Sequence, residues 1–355
     1  LDDLEQIKKL DKSNVLGSID LFPQQCLQAL EETEKLDIHS LQNKVKNIVV
    51  CGMGGSAFTP EIAKTLFSGE IRLPYELVRD YHLPAYVNQD SLVIISSYSG
   101  TTKEAISAGK EAIRLNSKVL FICSQRESEL ISLAKEKNLS GYIFEEKFNP
   151  CLQPRVGSGY TVCGHIGILM KTNLINVSFE QMKKTIKTID NNYKAGIPFE
   201  KNQAKQIAVK LKGKFVFLSS SEFLNGAIHG FANQLNENAK TNSAYHYIPE
   251  LNHHRMEGLK YPEKFKKIAV FLFYFSNLYD RRNKVRYKIT QDVIKKNDYQ
   301  VLEYEAKGND KISQTFKTIM FNSYVSFYLA ILNKVDPSKI PWVDYFKKEL
   351  KKFSF

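Results

Sequence analysis

Leu92-Val93-Ile94-Ile95-Ser96-Ser97-Tyr98-Ser99-Gly100-Thr101-Thr102 decides how this chain is read. The first half is a short apolar run, the mark of a strand buried on both faces of a sheet. The second half is a glycine among hydroxyls, and a helical pattern follows over residues 103–115. Strand, polar turn and helix make the repeating unit of a parallel sheet covered by helices. The same unit lies on either side. Residues 47–51 form an apolar run leading into Gly52-Met53-Gly54-Gly55-Ser56, with a helix expected near 60–66. Residues 119–123 form another, with a helix over 129–137.

Outward from this core, the spacing predicts two α/β domains, each a doubly wound parallel sheet flanked by helices. The first covers residues 1–150 with leading helices. Residues 151–202 form a helical connection, with a buried helix over 160–174 and a charged one over 179–193. Gly196 and Pro198 mark the linker over 194–202. The second domain covers residues 203–355. Strands are expected over 214–219, 244–248, 267–275 and 300–304. Helices are expected over 203–211, 223–240, 284–296, 313–333 and 342–353. A length of 355 residues suits two hydrophobic cores better than one.

Composition narrows the function classes. No apolar run reaches the length of a membrane span, and the first residues, Leu1-Asp2-Asp3-Leu4-Glu5, do not read as a signal peptide. A cytoplasmic location is expected. The five cysteines lack CxxC spacing, so neither a disulfide framework nor a zinc knuckle is expected. The net charge of +12 invites a nucleic-acid reading, but 41 of the 50 basic residues are lysine. Arginine clusters interleaved with aromatics are missing; only the stretch from Asp280 to Arg286 is locally dense. Solvated lysine faces explain the charge better, and a mild positive field attracts an anionic substrate.

Residues 97–102 sit where ligands bind in open α/β sheets, at the carboxyl end of a strand and the amino end of a helix. Unpaired N–H groups and the positive end of the helix dipole suit a phosphate there. An N-cap needs one hydroxyl; Ser97, Ser99, Thr101 and Thr102 supply four. Gly52-Met53-Gly54-Gly55-Ser56 is neither GxGxxG nor a P-loop. Its glycines instead let backbone approach a sugar, with Ser56 as a hydroxyl donor.

Asn236-Glu237-Asn238-Ala239-Lys240 ends a predicted helix, and 16 residues after Glu237 comes His253, within Pro249-Glu250-Leu251-Asn252-His253-His254-Arg255. A carboxylate and a histidine can supply acid–base chemistry. Spacing alone does not bring them together, and Glu237 also fits a solvated helix end. No HxH, HExxH or Cys/His cluster is present, so no metal is expected.

These segments, with Pro154-Arg155 between them and Asp336-Pro337 and Lys347 near the end, resemble the bifunctional phosphoglucose/phosphomannose isomerases of the sugar-isomerase (SIS) domain superfamily. The resemblance spans most of the chain; Leu235–Lys240 and Ile248–His253 carry its most specific part. It implies two SIS-type domains and interconversion of glucose 6-phosphate, with mannose 6-phosphate, and fructose 6-phosphate through a cis-enediolate. It assigns Ser97, Ser99 and Thr102 to the phosphate, and Gly54, Gly55 and Ser56 to the loop beside the sugar. It makes Arg155 the stabiliser of the enediolate charge and Glu237 the base between C1 and C2. His253 becomes the ring-opening histidine, donated by the neighbouring subunit of a homodimer, and Lys347 a lysine near the sugar ring. No cofactor and no metal are implied. His254-Arg255 departs from the Asn-Glu of better-known members, which bears on the balance of glucose and mannose activities. The alternatives are a sugar-phosphate sensor without catalysis and an isomerase of another phosphosugar; a sensor need not keep both Glu237 and His253.

Overall fold

The computed structural model describes residues 1–41, 44–189 and 192–353 of the 355. Its first sheet has five strands: β1 (Asn47–Cys51), β2 (Tyr75–Val78), β3 (Ser91–Ser96), β4 (Lys118–Ser124) and β5 (Ser140–Phe144). They run parallel in the order β2-β1-β3-β4-β5. The strand order reverses between β1 and β3, and at such a switch point the connections leave in opposite directions and open a crevice. Cys51 pairs with Ile95, so the two strands end almost level. The glycine loop after β1 and the hydroxyl loop after β3 therefore share the crevice.

The central strands follow their apolar runs: every residue of β3 is buried. The edge strands β2 and β5 were not expected, because they are short and only partly buried and carry no continuous apolar run. Two short leading helices, Leu4–Leu10 and Val15–Asp20, precede the longer ones of this half: α1 (Phe22–Glu34), α2 (Gly55–Leu66), α3 (Lys103–Arg114) and α4 (Glu129–Glu136). Helix α2 begins five residues earlier than expected, with Pro60 inside it. Proline has no N–H for the carbonyl four residues back, and that carbonyl, of Ser56, lies 2.4 Å from where a Cβ on Gly52 would stand. Only glycine fits at 52.

In the connection, α5 (Ser158–Lys171) is the buried helix expected there. The charged helix ends at Lys187 rather than 193; its expected course through 190 and 191 lies outside the described residues. After α6 (Gln203–Leu211) come the strands β6 (Phe215–Ser221), β7 (Ser243–Ile248), β8 (Ala269–Phe275) and β9 (Gln300–Glu305). They form a second parallel sheet in the order β7-β6-β8-β9, the first sheet's order without its fifth strand. Its helices are α7 (Asn225–Glu237), α8 (Leu251–His254), α9 (Arg281–Lys296), α10 (Lys311–Leu332) and α11 (Pro341–Leu350). The helix expected over 223–240 begins as a 3-10 turn, Glu222–Leu224, and its α-helical part ends at Glu237. Helix α10 is almost wholly buried and starts from a capping box between Asp310 and Ser313. All five cysteines are buried and free. No helix among the described residues is long and apolar enough to cross a membrane.

The halves meet where α7 packs against α2. Glu61 on α2 reinforces the junction, with one oxygen 2.8 Å from His229 Nδ1 and the other accepting from Tyr247 Oη at 2.8 Å. Gly226 packs on Ile62 and Gly230 on Phe58, so α7 runs toward the amino end of α2, where the glycine loop lies.

Candidate active site

The hydroxyl loop is held by its own side chains. Ser97 Oγ lies 2.8 Å from Thr102 Oγ1, and Ser99 Oγ lies 2.9 Å from Thr101 Oγ1. Thr102 occupies the N-cap of α3 yet makes no side-chain cap bond. Thr102 N leans weakly on Ser97 Oγ at 3.4 Å, and among the described residues no side-chain cap satisfies the N–H groups that follow, which suits an external anion. Gly100 takes a φ of +66°, a turn that suits glycine.

The glycine loop is bound to this one. Tyr98 N donates to Ser56 Oγ at 3.0 Å, so Ser56, which is buried, joins the two loops. Gly55 faces Pro154, 3.8 Å from where its Cβ would stand. Tyr98 Oη in turn accepts from Asn149 Nδ2 at 2.7 Å. The turn carrying Pro154 and Arg155 is therefore packed on both loops.

Arg155 is 2% exposed, and its five N–H groups all have acceptors. Nε donates to Asn238 Oδ1 at 2.5 Å. Nη2 donates to the carbonyls of Pro337 and Ser338 at 2.8 and 2.9 Å. Nη1 donates to Gln153 Oε1 at 2.8 Å and, more weakly, to Glu237 Oε2 at 3.4 Å. Burial pulls the guanidinium below its ordinary value, with Glu237 pulling it back. It stays charged at neutral pH.

Glu237 ends α7 with its side chain 31% exposed. Burial raises its pKa above the usual carboxylate value, although the charges of Arg155, Lys347 and Lys240 all oppose that rise. A carboxylate so placed is a stronger base than a solvated one. The weak 3.4 Å contact is the one Arg155 bond a substrate oxygen could replace without disturbing the rest.

Of the residues expected at the site, the structure brings together Arg155, Glu237 and Lys347, and joins Ser97, Ser99, Thr102, Gly54, Gly55 and Ser56 in the adjoining loops. His253 stands apart. It is exposed on the short helix α8, anchored by its neighbour Asn252, which donates to Thr290 Oγ1 at 2.6 Å and accepts from Arg286 at 3.3 Å on α9. Among the described residues its side chain makes no hydrogen bond or ion pair with Glu237 or Arg155. Sequence reasoning assigned no role to Asn238, Lys240, Gln153 or the carbonyls of residues 336–338. Asn238 and Lys240 lay inside a segment already singled out, but a backbone carbonyl leaves no signature in sequence. No group of three or more His, Cys, Asp or Glu side chains placed to hold a metal ion occurs among the described residues.

Two parallel sheets meeting at a hydroxyl loop and a carboxylate–guanidinium pair define a double SIS-type α/β protein. Residues 200–350 match the family described as the bacterial phospho-glucose isomerase C-terminal SIS domain, and residues 42–140 match the SIS domain. A bifunctional phosphoglucose/phosphomannose isomerase of Caldicellulosiruptor bescii is 30% identical over 93% of this chain and 96% of its own. One of Aquifex aeolicus is 30% identical over 86% and 91%. A crystal structure of a hypothetical Thermus thermophilus protein superposes with a TM-score of 0.75 at 13% identity, covering 98% of this chain and 94% of that one, a likeness of fold alone. The chain belongs to the bifunctional phosphoglucose/phosphomannose isomerase family.

Proposed function

We propose that this protein interconverts glucose 6-phosphate and mannose 6-phosphate with fructose 6-phosphate through a cis-enediolate. The observation that carries the reading is the contact of the buried Arg155 guanidinium with the raised-pKa carboxylate of Glu237. Glu237 removes the C2 proton of the open-chain aldose, and the electrons move toward the carbonyl oxygen at C1. The enediolate has no stereochemistry at C2, so both epimers converge. Passing the O2 hydroxyl proton to O1 and returning a proton to C1 gives the ketose. C2 is oxidised and C1 reduced within one molecule, so no external redox partner enters the balance. Arg155 offers fixed positive charge to the developing oxyanion. Ser97, Ser99, Thr102 and the amino end of α3 hold the phosphate, with Gly54, Gly55 and Ser56 beside the sugar and Lys347 near its ring. A coupled assay on the three hexose phosphates tests the reaction; turnover of none of them, with the chain folded, rejects it.

His253 belongs to the same reading as the ring-opening group, donated across a cytoplasmic homodimer. Its exposure, with no hydrogen bond or ion pair to Glu237 among the described residues, supports action in trans. Two inactive variants, Glu237→Gln and His253→Ala, unfolded together and refolded, test this. Random pairing makes about half the dimers mixed, and each mixed dimer has one intact site, so about a quarter of all sites recover. With refolded wild type active and single variants inactive, no rescue excludes the shared site.

A further inference from the structure

Lys240 follows the end of α7 by three residues with a φ of +51°. Its residue surface is exposed, but its ammonium is turned onto backbone. It donates to the carbonyl of Glu237 at 2.9 Å, of Asn238 at 3.2 Å and of Asp336 at 2.9 Å. An ammonium has three donors, and all three have carbonyl acceptors. Among the described residues it forms no direct ion pair with a carboxylate. A cation here also suits the negative end of the α7 dipole.

The third carbonyl gives the arrangement its meaning. Asp336, Pro337 and Ser338 present consecutive carbonyls, the first to Lys240 and the next two to Arg155 Nη2. The Asp336 carboxylate fixes this turn by accepting from Ser338 N at 2.8 Å and Ser338 Oγ at 2.7 Å. One turn thus holds two cations: one is bonded to the Glu237 side chain, the other to the Glu237 backbone.

We propose that Lys240 is a positioning residue for the proton transfer, fastening the end of α7 to the 336–338 turn that anchors Arg155 and thereby setting the Glu237–Arg155 geometry. The proposal rests on the reading of Glu237 as the base. Lys240 also keeps positive charge beside that carboxylate, which faces Arg155 from the turn before α5 and Lys347 from α11. Burial and, after it, the Arg155 charge bring the Lys240 pKa down to about 8, with Asp336 and Glu237 opposing. As pH rises through that value the ammonium loses its charge and one of its three donors.

The test measures glucose 6-phosphate isomerisation from pH 5 to 10 with the full-length chain, Lys240→Met and Lys240→Arg. We expect Lys240→Met to lower kcat at least about 10-fold with KM within about 2-fold, as for an interaction that matters in the transition state. The acidic limb of kcat/KM should move to higher pH, because Glu237 loses a neighbouring cation. A guanidinium does not deprotonate in this range. Lys240→Arg should therefore retain part of the activity at pH 7 and lose less of it than wild type between pH 7 and 9. Superimposable alkaline limbs for wild type and Lys240→Arg overturn the proposal, and so does a folded Lys240→Met with wild-type kcat and acidic limb. If Lys240→Met does not fold, the Lys240→Arg comparison decides. Glu237→Gln separates the two readings. An active Glu237→Gln removes the base assignment, whereas an inactive one with no Lys240 effect removes only the role of Lys240.

Discussion

The loop over residues 97–102 and the carboxyl end of α7, which the proposed reaction sets around one substrate, are built from opposite materials. The loop contains no charge. Its hydroxyls bond to one another, Ser97 to Thr102 and Ser99 to Thr101, and the attraction for a phosphate comes from backbone and helix dipole. The end of α7 concentrates Glu237, Lys240 and Arg155, each held by groups distant in sequence. A neutral loop costs little to preorganise and binds ground state and transition state alike. A charged cluster needs buried partners from several elements, and it acts where charge develops.

If that contrast is right, substitutions on the two sides separate kinetically. The largest effect falls at Glu237. Glu237→Gln keeps shape and removes the proton acceptor, so kcat should drop by at least about 10²-fold with little change in KM. Steady-state kinetics showing near-normal turnover would reduce Glu237 to a helix-end residue. Wild-type kcat/KM should also fall on acidification from a pH above the usual carboxylate range, because burial raises this pKa and the base must be ionised. A pH–rate profile flat down to the ordinary glutamate value contradicts that.

Arg155→Lys comes next. Lysine keeps a charge but has three donors for five acceptors. Asn238, the 336–338 carbonyls and Glu237 cannot all be served, and kcat should fall about 10- to 10²-fold. Thermal unfolding separates this from loss of fold, since the Arg155 bonds also tie residues 153, 238 and 337–338 together. The smallest effect on turnover falls in the loop. Ser99→Ala with Thr102→Ala should raise KM about 10-fold, roughly the loss of one or two hydrogen bonds to a charged ligand, with kcat nearly unchanged. An equal fall in kcat with steady KM would place the loop among transition-state contacts and erase the distinction.

The two regions differed equally in legibility. Ser97, Ser99 and Thr102 are neighbours in sequence, on a strand-to-helix turn that period and composition both mark, so loop and placement were readable together. Strands β1, β3, β4 and β8 were readable for a related reason: burial on both faces demands unbroken apolar runs. Strands β2 and β5 escaped because an edge needs no such run. Lys347 could be separated from Lys348, Lys351 and Lys352 only by its charge acting on Glu237 in the folded chain.

The sequence by itself determined the alternation of strand and helix, the hydroxyl loop and its place at a helix amino end, and the segments that mark the family, because each is encoded in contiguous residues. Only the tertiary structure decided that Arg155 meets Glu237, that Asn238 and the carbonyls of Pro337 and Ser338 hold Arg155, and that Lys240 reaches Asp336. The physical reason is that these bonds cross 82 to 183 positions of chain or end on backbone oxygens that every residue possesses, so no local pattern can announce them.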